Sequence, residues 1–193
     1  MDKTSHIELR RVFLLENLPE PLKRADYHWQ IFDNYIENTR LRLRSVRVPE
    51  TKEWNYTLEQ RFPVDESNLT ALNVARIHLN EAEHRAFEIY EGREIKRNER
   101  VETSEIRKNR YFQDFGERKI EIDLFLGALW GLVLANIRFA SSKESEAFGI
   151  PPFAFLEVTN EPFFRGENLL GKTFADVRNE FEKLAGQQQK GGK

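Results

Sequence analysis

In the segment TRLRLR (39–44), the residues from Arg40 onward alternate strictly between polar and apolar. In an extended strand this period of two places Arg40, Arg42 and Arg44 on one face and the leucines on the other. The alternation recurs and predicts further strands at 6–10, 54–62, 74–79, 106–112, 119–125 and 132–139, with 27–36 and 153–159 also expected to be extended. So many alternating segments are typical of an antiparallel sheet.

Helices are predicted at only three places, so the fold class is α+β. Asn80 followed by Glu83 predicts a capped helix over 80–90. A short helix is predicted at 141–148 and an amphipathic helix at 173–185. The 193 residues suit one domain, which we place at 1–186, and the low-complexity tail 187–193 is expected to be disordered.

The composition excludes several classes of function. The chain has no cysteine, so disulfides, zinc–thiolate sites and thiol catalysis are excluded. A net charge of -2 disfavours nucleic acid as a partner. The N-terminus lacks an apolar signal segment, and the longest apolar run, at 128–135, is too short to span a bilayer. We therefore expect a cytoplasmic protein without membrane contact; the sequence allows a homodimer.

The charged face of the strands has two interpretations. Glu121 and Asp123 alternate with apolar residues, as do Asn136 and Arg138. An antiparallel sheet with a core on one side and water on the other explains this pattern. A closed barrel explains it equally well if the charges point into a polar lumen and helices cover the apolar exterior. The alternation alone leaves both open.

Four segments together resemble a known family. They are IELRRVFLL (7–15), NYIENTRLRLR (34–44), KNRYFQDFGERKIEIDLFLGALWGLVLANIRF (108–139) and PPFAFLEVTNEPFFRGENLLG (151–171). They are similar to the CYTH superfamily of triphosphate tunnel metalloenzymes, which includes class IV adenylyl cyclases, thiamine triphosphatases and inorganic triphosphatases. The order and spacing of KxRY, E-[IL]-D-x-F-x-G and EVT are the most specific part. The resemblance implies an eight-stranded antiparallel β-barrel, a tunnel with a polar lumen and peripheral helices.

The resemblance also implies that the lumen binds a triphosphate together with divalent cations. Arg10 stands where the family's E-x-E-x-K signature has lysine. Guanidinium groups suit this ligand because they bind phosphate oxygens bidentately. From the resemblance and the strand faces, the predicted phosphate-binding residues are Arg10, Arg40, Arg42, Arg44, Arg76, Lys108, Arg110 and Arg138.

The acidic half of the implied site departs from the family pattern. The E-x-E-x-K signature reads HIELR at 6–10, and an E-x-E strand that supplies metal ligands in the family reads Asn136-Ile-Arg138. Magnesium and manganese prefer oxygen ligands, so an arginine there opposes a cation. No cofactor is assigned. The remaining candidates are Glu8, Glu121 and Asp123 for catalysis, and Glu8, Asp123 and Glu157 for Mg²⁺ or Mn²⁺ if the chain is an active enzyme.

The predicted lumen carries more basic than acidic side chains. Either a bound polyanion offsets this charge, or the inward acids Glu8, Glu59, Glu121 and Asp123 pair with the arginines. Three hypotheses follow. The chain binds a triphosphate or another phosphate-rich anion, with metal-dependent catalysis weakened or lost. Alternatively, it is an active metal-dependent triphosphatase or adenylyl cyclase. In the third, it is a salt-bridged scaffold that binds nothing.

The segment GENLLGKT (166–173) matches the phosphate-binding loop G-x-x-x-x-G-K-[ST]. That loop works between a strand and a helix of a parallel α/β sheet. Everything upstream of the segment predicts antiparallel strands, and no strand is predicted after Thr173. We therefore interpret Lys172 as a surface residue at a helix end.

Overall fold

Most of the chain forms a strongly curved antiparallel sheet. The computed structural model describes residues 3–97 and 100–190. The strands are β1 Lys3–Leu15, β2 His28–Tyr35, β3 Leu41–Val48, β4 Glu53–Asp65, β5 Asn68–Leu79, β6 Glu94–Arg97, β7 Arg100–Thr103, β8 Glu105–Phe115, β9 Arg118–Phe125, β10 Val133–Phe139 and β11 Leu156–Glu157. The α-helices are α1 Glu81–Arg85, α2 Ser142–Ala147 and α3 Phe174–Lys190.

The sheet closes on itself through the long first strand. Residues 3–9 of β1 pair with β5, and residues 9–15 pair with β10. The order around the barrel is β1-β5-β4-β3-β2-β8-β9-β10 and back to β1, with every pairing antiparallel. The eight-stranded barrel predicted from the sequence is confirmed, and the open sheet with one wet face is wrong. Among the described residues, β6 and β7 form a separate two-stranded sheet.

The alternation places apolar side chains outside the barrel as well as inside it. Phe13, Tyr111, Ile120 and Ile137 are fully buried in one cluster on the outer face. Phe148 and Phe153, which follow α2, pack against that cluster. The exterior is therefore covered there by the chain after β10, as the barrel hypothesis requires. No helix in the described ranges has the length and hydrophobicity to cross a membrane.

A second apolar cluster fills the lumen where β9 ends and β10 begins. Both the strands and the C-terminal part of the chain contribute side chains to this cluster. The cluster therefore plugs one side of this end of the barrel. The lumen-facing strand residues of the cluster are Val12, Leu14, Ile106, Phe125 and Leu134, and the C-terminal ones include Val158, Phe164, Leu169, Leu170, Val177 and Leu184.

Two predicted elements are shorter than the sequence indicates. The capping box is present, since the Asn80 side chain accepts a hydrogen bond from the backbone N–H of Glu83 at 2.9 Å. However, α1 ends at Arg85 because it buries only His84, and an apolar stripe to extend it is missing. Of 153–159, only β11 is a strand, since the chain then turns into the plugged end of the barrel.

The C-terminal helix is longer than predicted. It begins at Phe174 and continues to Lys190, past the predicted end at residue 185 and into the segment expected to be disordered. Residues 191–193 of that segment lie outside the described chain.

Candidate functional site

The lumen between the plugged end and the opposite end is filled with charged side chains. Strand pairing sets acids beside bases: Arg44 lies opposite Asp33, Arg42 opposite Glu59, and Arg110 opposite Asp123. Each of these side chains is buried. The buried charged residues of the lumen are Glu8, Asp33, Arg42, Arg44, Glu59, Lys108, Arg110 and Asp123.

Asp33 is the acid shared by three of the predicted phosphate-binding residues. Arg44 donates to both oxygens, Nε to Oδ1 at 2.6 Å and Nη2 to Oδ2 at 2.8 Å. Arg42 Nη1 lies 3.4 Å and Lys108 Nζ 3.5 Å from Oδ2. Burial alone raises the pKa of Asp33, but these three cations outweigh burial and hold the pKa far below its usual range.

Sequence reasoning missed Asp33. Its neighbours on the same face of β2 are Ile31 and Tyr35, so the strand shows no charge alternation. The signal that identifies it is its position opposite Arg44, and that position is known only once the strands are paired.

Asp123 is held in a similar way on the other side of the lumen. Arg110 donates from Nε to Oδ1 at 2.6 Å and from Nη2 to Oδ2 at 2.8 Å. Lys108 Nζ lies 2.9 Å and Asn136 Nδ2 3.4 Å from Oδ2. Although burial raises the pKa of Asp123, Arg110 and Lys108 lower it well below its usual range.

Ion pairs continue toward the end of the lumen opposite the plug. Glu59 accepts from Arg42 and, at 2.7 Å, from Arg76 Nε. Its pKa lies far below the usual range, because Arg42 and other nearby cations outweigh the opposing effect of burial.

Arg138 lies between two carboxylates from neighbouring strands. Its Nε is 3.4 Å from Glu8 Oε2, and its Nη2 is 2.9 Å from Glu121 Oε1. Glu8 also pairs with Arg61, and Glu121 with Arg110 Nη1 at 2.6 Å. A guanidinium therefore occupies the space between the two acids that a cation would need.

These contacts decide whether the divalent cation implied by the fold would fit. In the described ranges, no group of three or more His, Cys, Asp or Glu side chains is placed to hold a metal ion. Glu8, Glu121 and Asp123 all have cationic side chains bound to them. The residues present do not fit a divalent cation.

Glu157, another metal candidate, lies outside the lumen. It accepts a hydrogen bond from Arg11 Nε at 2.8 Å and one from the Thr159 hydroxyl at 2.6 Å. Arg11 also packs over the ring of Phe148 on the outer face of the barrel. Glu157 is thus separated by the barrel wall from Glu8 and Asp123, and the structure does not bring the three together.

A cavity of about 210 Å³ lies between the ion pairs and the mouth of the barrel. The mouth is the open side of the plugged end, and the β2–β3 and β4–β5 turns form it. Eight basic and four acidic residues line the cavity, so its wall is positive. The bases are Arg10, Arg40, Arg42, Arg44, Arg61, Lys108, Arg110 and Arg165, and the acids are Asp33, Asp123, Glu66 and Glu167.

Three of these cations have a lowered pKa, although Arg61 pairs with Glu8 and Lys108 pairs with Asp33 and Asp123. Burial lowers the pKa of Arg10, Arg61 and Lys108, and nearby acids do not restore it. The buried Nε of Arg10 has no hydrogen-bond partner among the described residues. An anion entering the cavity therefore meets a guanidinium nitrogen of Arg10 to which the described residues offer no acceptor.

The remaining predicted residues lie nearer to solvent. Arg40 is exposed at the mouth, with its guanidinium 5.0 Å from the ring centre of Phe62. The side chains of Arg76 and Arg138 are 27% and 49% exposed, and neither lines the cavity. The structure therefore brings Arg10, Arg40, Arg42, Arg44, Lys108 and Arg110 together around one cavity and leaves Arg76 and Arg138 at the other end of the lumen.

The GENLLGKT segment crosses the mouth and does not form a phosphate-binding loop. Gly166–Asn168 is a 3₁₀ turn, and Gly171 has a φ of +69°. The Thr173 hydroxyl accepts a hydrogen bond from the backbone N–H of Asp176 at 3.4 Å, which caps α3. Lys172 is exposed just before that helix. The segment contributes Gly166 and Glu167 to the cavity wall, and Arg165 lies directly before it on the same wall; sequence reasoning overlooked both charges.

Comparison with known proteins identifies the fold. No protein-family model matches the chain, and no curated protein is significantly similar to it. A crystal structure of the inorganic triphosphatase NE1496 is similar with a TM-score of 0.52 and 21% identity, covering 84% of this chain and 93% of the triphosphatase. A second crystal structure, described as the hypothetical protein NE1496, gives a TM-score of 0.53 and 19% identity over 86% and 99% of the two chains. The CYTH-like fold predicted from the motifs is confirmed.

Proposed function

We propose that this chain binds a phosphate-rich anion, such as a triphosphate, in the lumen cavity without a divalent cation. The observation that carries the proposal is the cavity wall, which has eight basic and four acidic residues and on which the buried Nε of Arg10 has no hydrogen-bond partner among the described residues. Arg40, Arg42, Arg44 and Arg110 are the further proposed phosphate-binding residues on the same wall. The solved inorganic triphosphatase of the same fold supports a ligand of this class.

The charge balance of the cavity supports binding. A triphosphate carries about four negative charges, and charge-assisted hydrogen bonds from guanidinium groups are roughly twice as strong as neutral ones. Buried like charges are costly unless an opposite charge offsets them. The ligand would therefore replace water around Arg10 and Arg61 with phosphate oxygens, and its own charge would offset theirs.

An active metal-dependent triphosphatase or adenylyl cyclase is the alternative. The occupied carboxylates Glu8, Glu121 and Asp123 count against it, because cations of the protein already bind their oxygens. The third hypothesis, a scaffold that binds nothing, is favoured by the number of ion pairs but leaves the Arg10 Nε unexplained. The thermal shifts described next separate all three.

We expect triphosphate to stabilise the wild-type protein equally in EDTA and in magnesium. A ligand at 100 times its Kd adds about 2.7 kcal/mol, which raises the Tm of a chain this long by about 5–10 °C. Differential scanning fluorimetry with inorganic triphosphate measures this shift. Stabilisation only with magnesium, together with a turnover of about one per second, would support the enzyme. No shift in either buffer would support the scaffold.

Replacing Arg10 is expected to weaken triphosphate binding about 10- to 100-fold, because one charge-assisted contact to an otherwise unpartnered buried nitrogen is lost. The comparison is Arg10→Gln against Arg107→Gln, both measured by isothermal titration calorimetry in EDTA. Arg107 lies on the outer face of β8, 62% exposed and paired with Glu105. The control removes the same charge outside the lumen and should change the Kd less than about twofold. Equal losses in both variants would place binding elsewhere.

A further inference from the structure

The mouth of the cavity carries an ion bridge between two loops. Arg165 Nη2 lies 2.6 Å from Glu167 Oε1, and Arg165 Nη1 lies 3.6 Å from Glu66 Oε2. Glu66 belongs to the turn between β4 and β5, and Glu167 belongs to the 3₁₀ turn Gly166–Asn168. All three side chains line the cavity, so the bridge lies at its opening.

The segment that carries Glu167 is fixed to the barrel. Phe164 and Leu169 are 6% and 1% exposed in the apolar plug on either side of it. Gly166 lies so close to Tyr35 that a side chain at Gly166 would collide with the tyrosine hydroxyl. The Asn168 side chain donates to the backbone carbonyl of Pro162 at 2.7 Å. The backbone of Glu167 is therefore held at the mouth by packing on both sides, and Arg165 binds its carboxylate there.

We propose that Glu167, supported by Glu66, limits the length of the phosphate chain that the cavity accepts. The inference rests on the proposed function and concerns the specificity of the same site. A short anion passes through the mouth and then lies entirely beside Arg10, Arg61 and Lys108. A longer chain must leave through the mouth, where it meets the carboxylates of Glu66 and Glu167.

The energetic conflict at the mouth has two parts. Phosphate oxygens at the mouth must displace Glu167 from Arg165, and the freed carboxylate then repels them at close range. The cavity of about 210 Å³ suits a short phosphate chain, and the remainder of a longer chain has to lie in the mouth.

The test compares Glu167→Gln with wild type for two probes, orthophosphate and a long-chain inorganic polyphosphate. Kd values are measured in EDTA at physiological salt, where charges more than about 8 Å away are screened. We expect the affinity for the long chain to rise at least about tenfold in Glu167→Gln and that for orthophosphate to change less than about twofold. Glu167→Asp keeps the charge and should behave as wild type.

The control variant is Glu117→Gln. Glu117 is exposed in the turn between β8 and β9, at the opposite end of the barrel, and its replacement removes the same charge. The inference is overturned if Glu167→Gln binds the long chain no more tightly than wild type does, or if Glu117→Gln gains as much affinity for it. In either case the proposed function stands if wild type binds orthophosphate. Binding of neither probe by wild type or any variant overturns both.

Discussion

Asp33→Asn is expected to lower the free energy of unfolding by about 3–5 kcal/mol, although the two side chains have nearly the same shape. Asp33 contacts Arg42, Arg44 and Lys108. Arg42 keeps Glu59 and Lys108 keeps Asp123 in the variant. Removing one partner of a buried pair costs this much because the other charge is left buried without an acid.

Arg44 is the residue that makes the loss large. Both of its hydrogen bonds to a carboxylate, at 2.6 and 2.8 Å, are to Asp33, and its side chain is only 8% exposed. Burial and the nearby Arg42 lower the pKa of Arg44. Acids that include Asp33 outweigh both effects, so the pKa lies above its usual value. Without that charge the guanidinium stays buried among other cations.

Urea unfolding followed by circular dichroism measures the effect. The control is Glu81→Gln, which breaks the exposed pair between Glu81 and Arg85 and should cost less than about 1 kcal/mol. The double variant Asp33→Asn/Arg44→Met should recover part of the loss, since an apolar side chain of similar size removes the unpaired charge. A loss below about 1 kcal/mol in Asp33→Asn would mean that the surrounding cations do not depend on the charge of Asp33.

The family resemblance, together with the alternation in β3, predicted which basic side chains face the lumen. Arg42 and Arg44 alternate with leucines, whereas Lys108 and Arg110 alternate with polar residues, and the structure buries all four inside the barrel. A strand with one apolar and one charged face has few ways to satisfy both. The acids that pair with these bases depend on strand register, which local patterns do not encode, so Asp33 was missed.

Glu157 and Glu167 illustrate the limits of sequence patterns in irregular segments. Glu157 is part of the EVT motif, but β11 is only two residues long and pairs with Phe13 and Leu14 of β1. Alternation over two residues does not show whether a side chain faces the lumen or the outside of the barrel. Glu167 lies in a 3₁₀ turn after β11. Its place at the cavity mouth follows from the packing of Phe164 and Leu169, which are far apart in sequence from the strands that they cover.

Arg138 joins two ion pairs of the lumen into one network. A neutral residue at position 138 would leave Glu8 paired with Arg61 and Glu121 paired with Arg110, without a link between them. Instead, Arg138 lies within 3.4 Å of Glu8 and 2.9 Å of Glu121. The guanidinium supplies permanently the positive charge that these acids need, because arginine does not lose its proton in proteins.

The free energy of unfolding is expected to fall steeply as the pH is lowered below about 4. Burial raises the pKa of Asp33, Glu59 and Asp123, but the surrounding arginines and Lys108 reverse that effect and hold each pKa well below the usual value. These acids titrate near pH 4 in the unfolded chain and remain ionised in the folded one. Below that pH the unfolded state binds more protons, so the stability that they contribute is present above pH 4 and is lost as the pH falls.

Each such carboxylate adds up to about 1.4 kcal/mol per pH unit to the slope. Urea unfolding between about pH 7 and about pH 3 measures it. Asp33→Asn is the matched comparison, because asparagine does not titrate and the variant should lose one group's share of the slope. Equal slopes in the variant and in wild type would contradict a lowered pKa for Asp33.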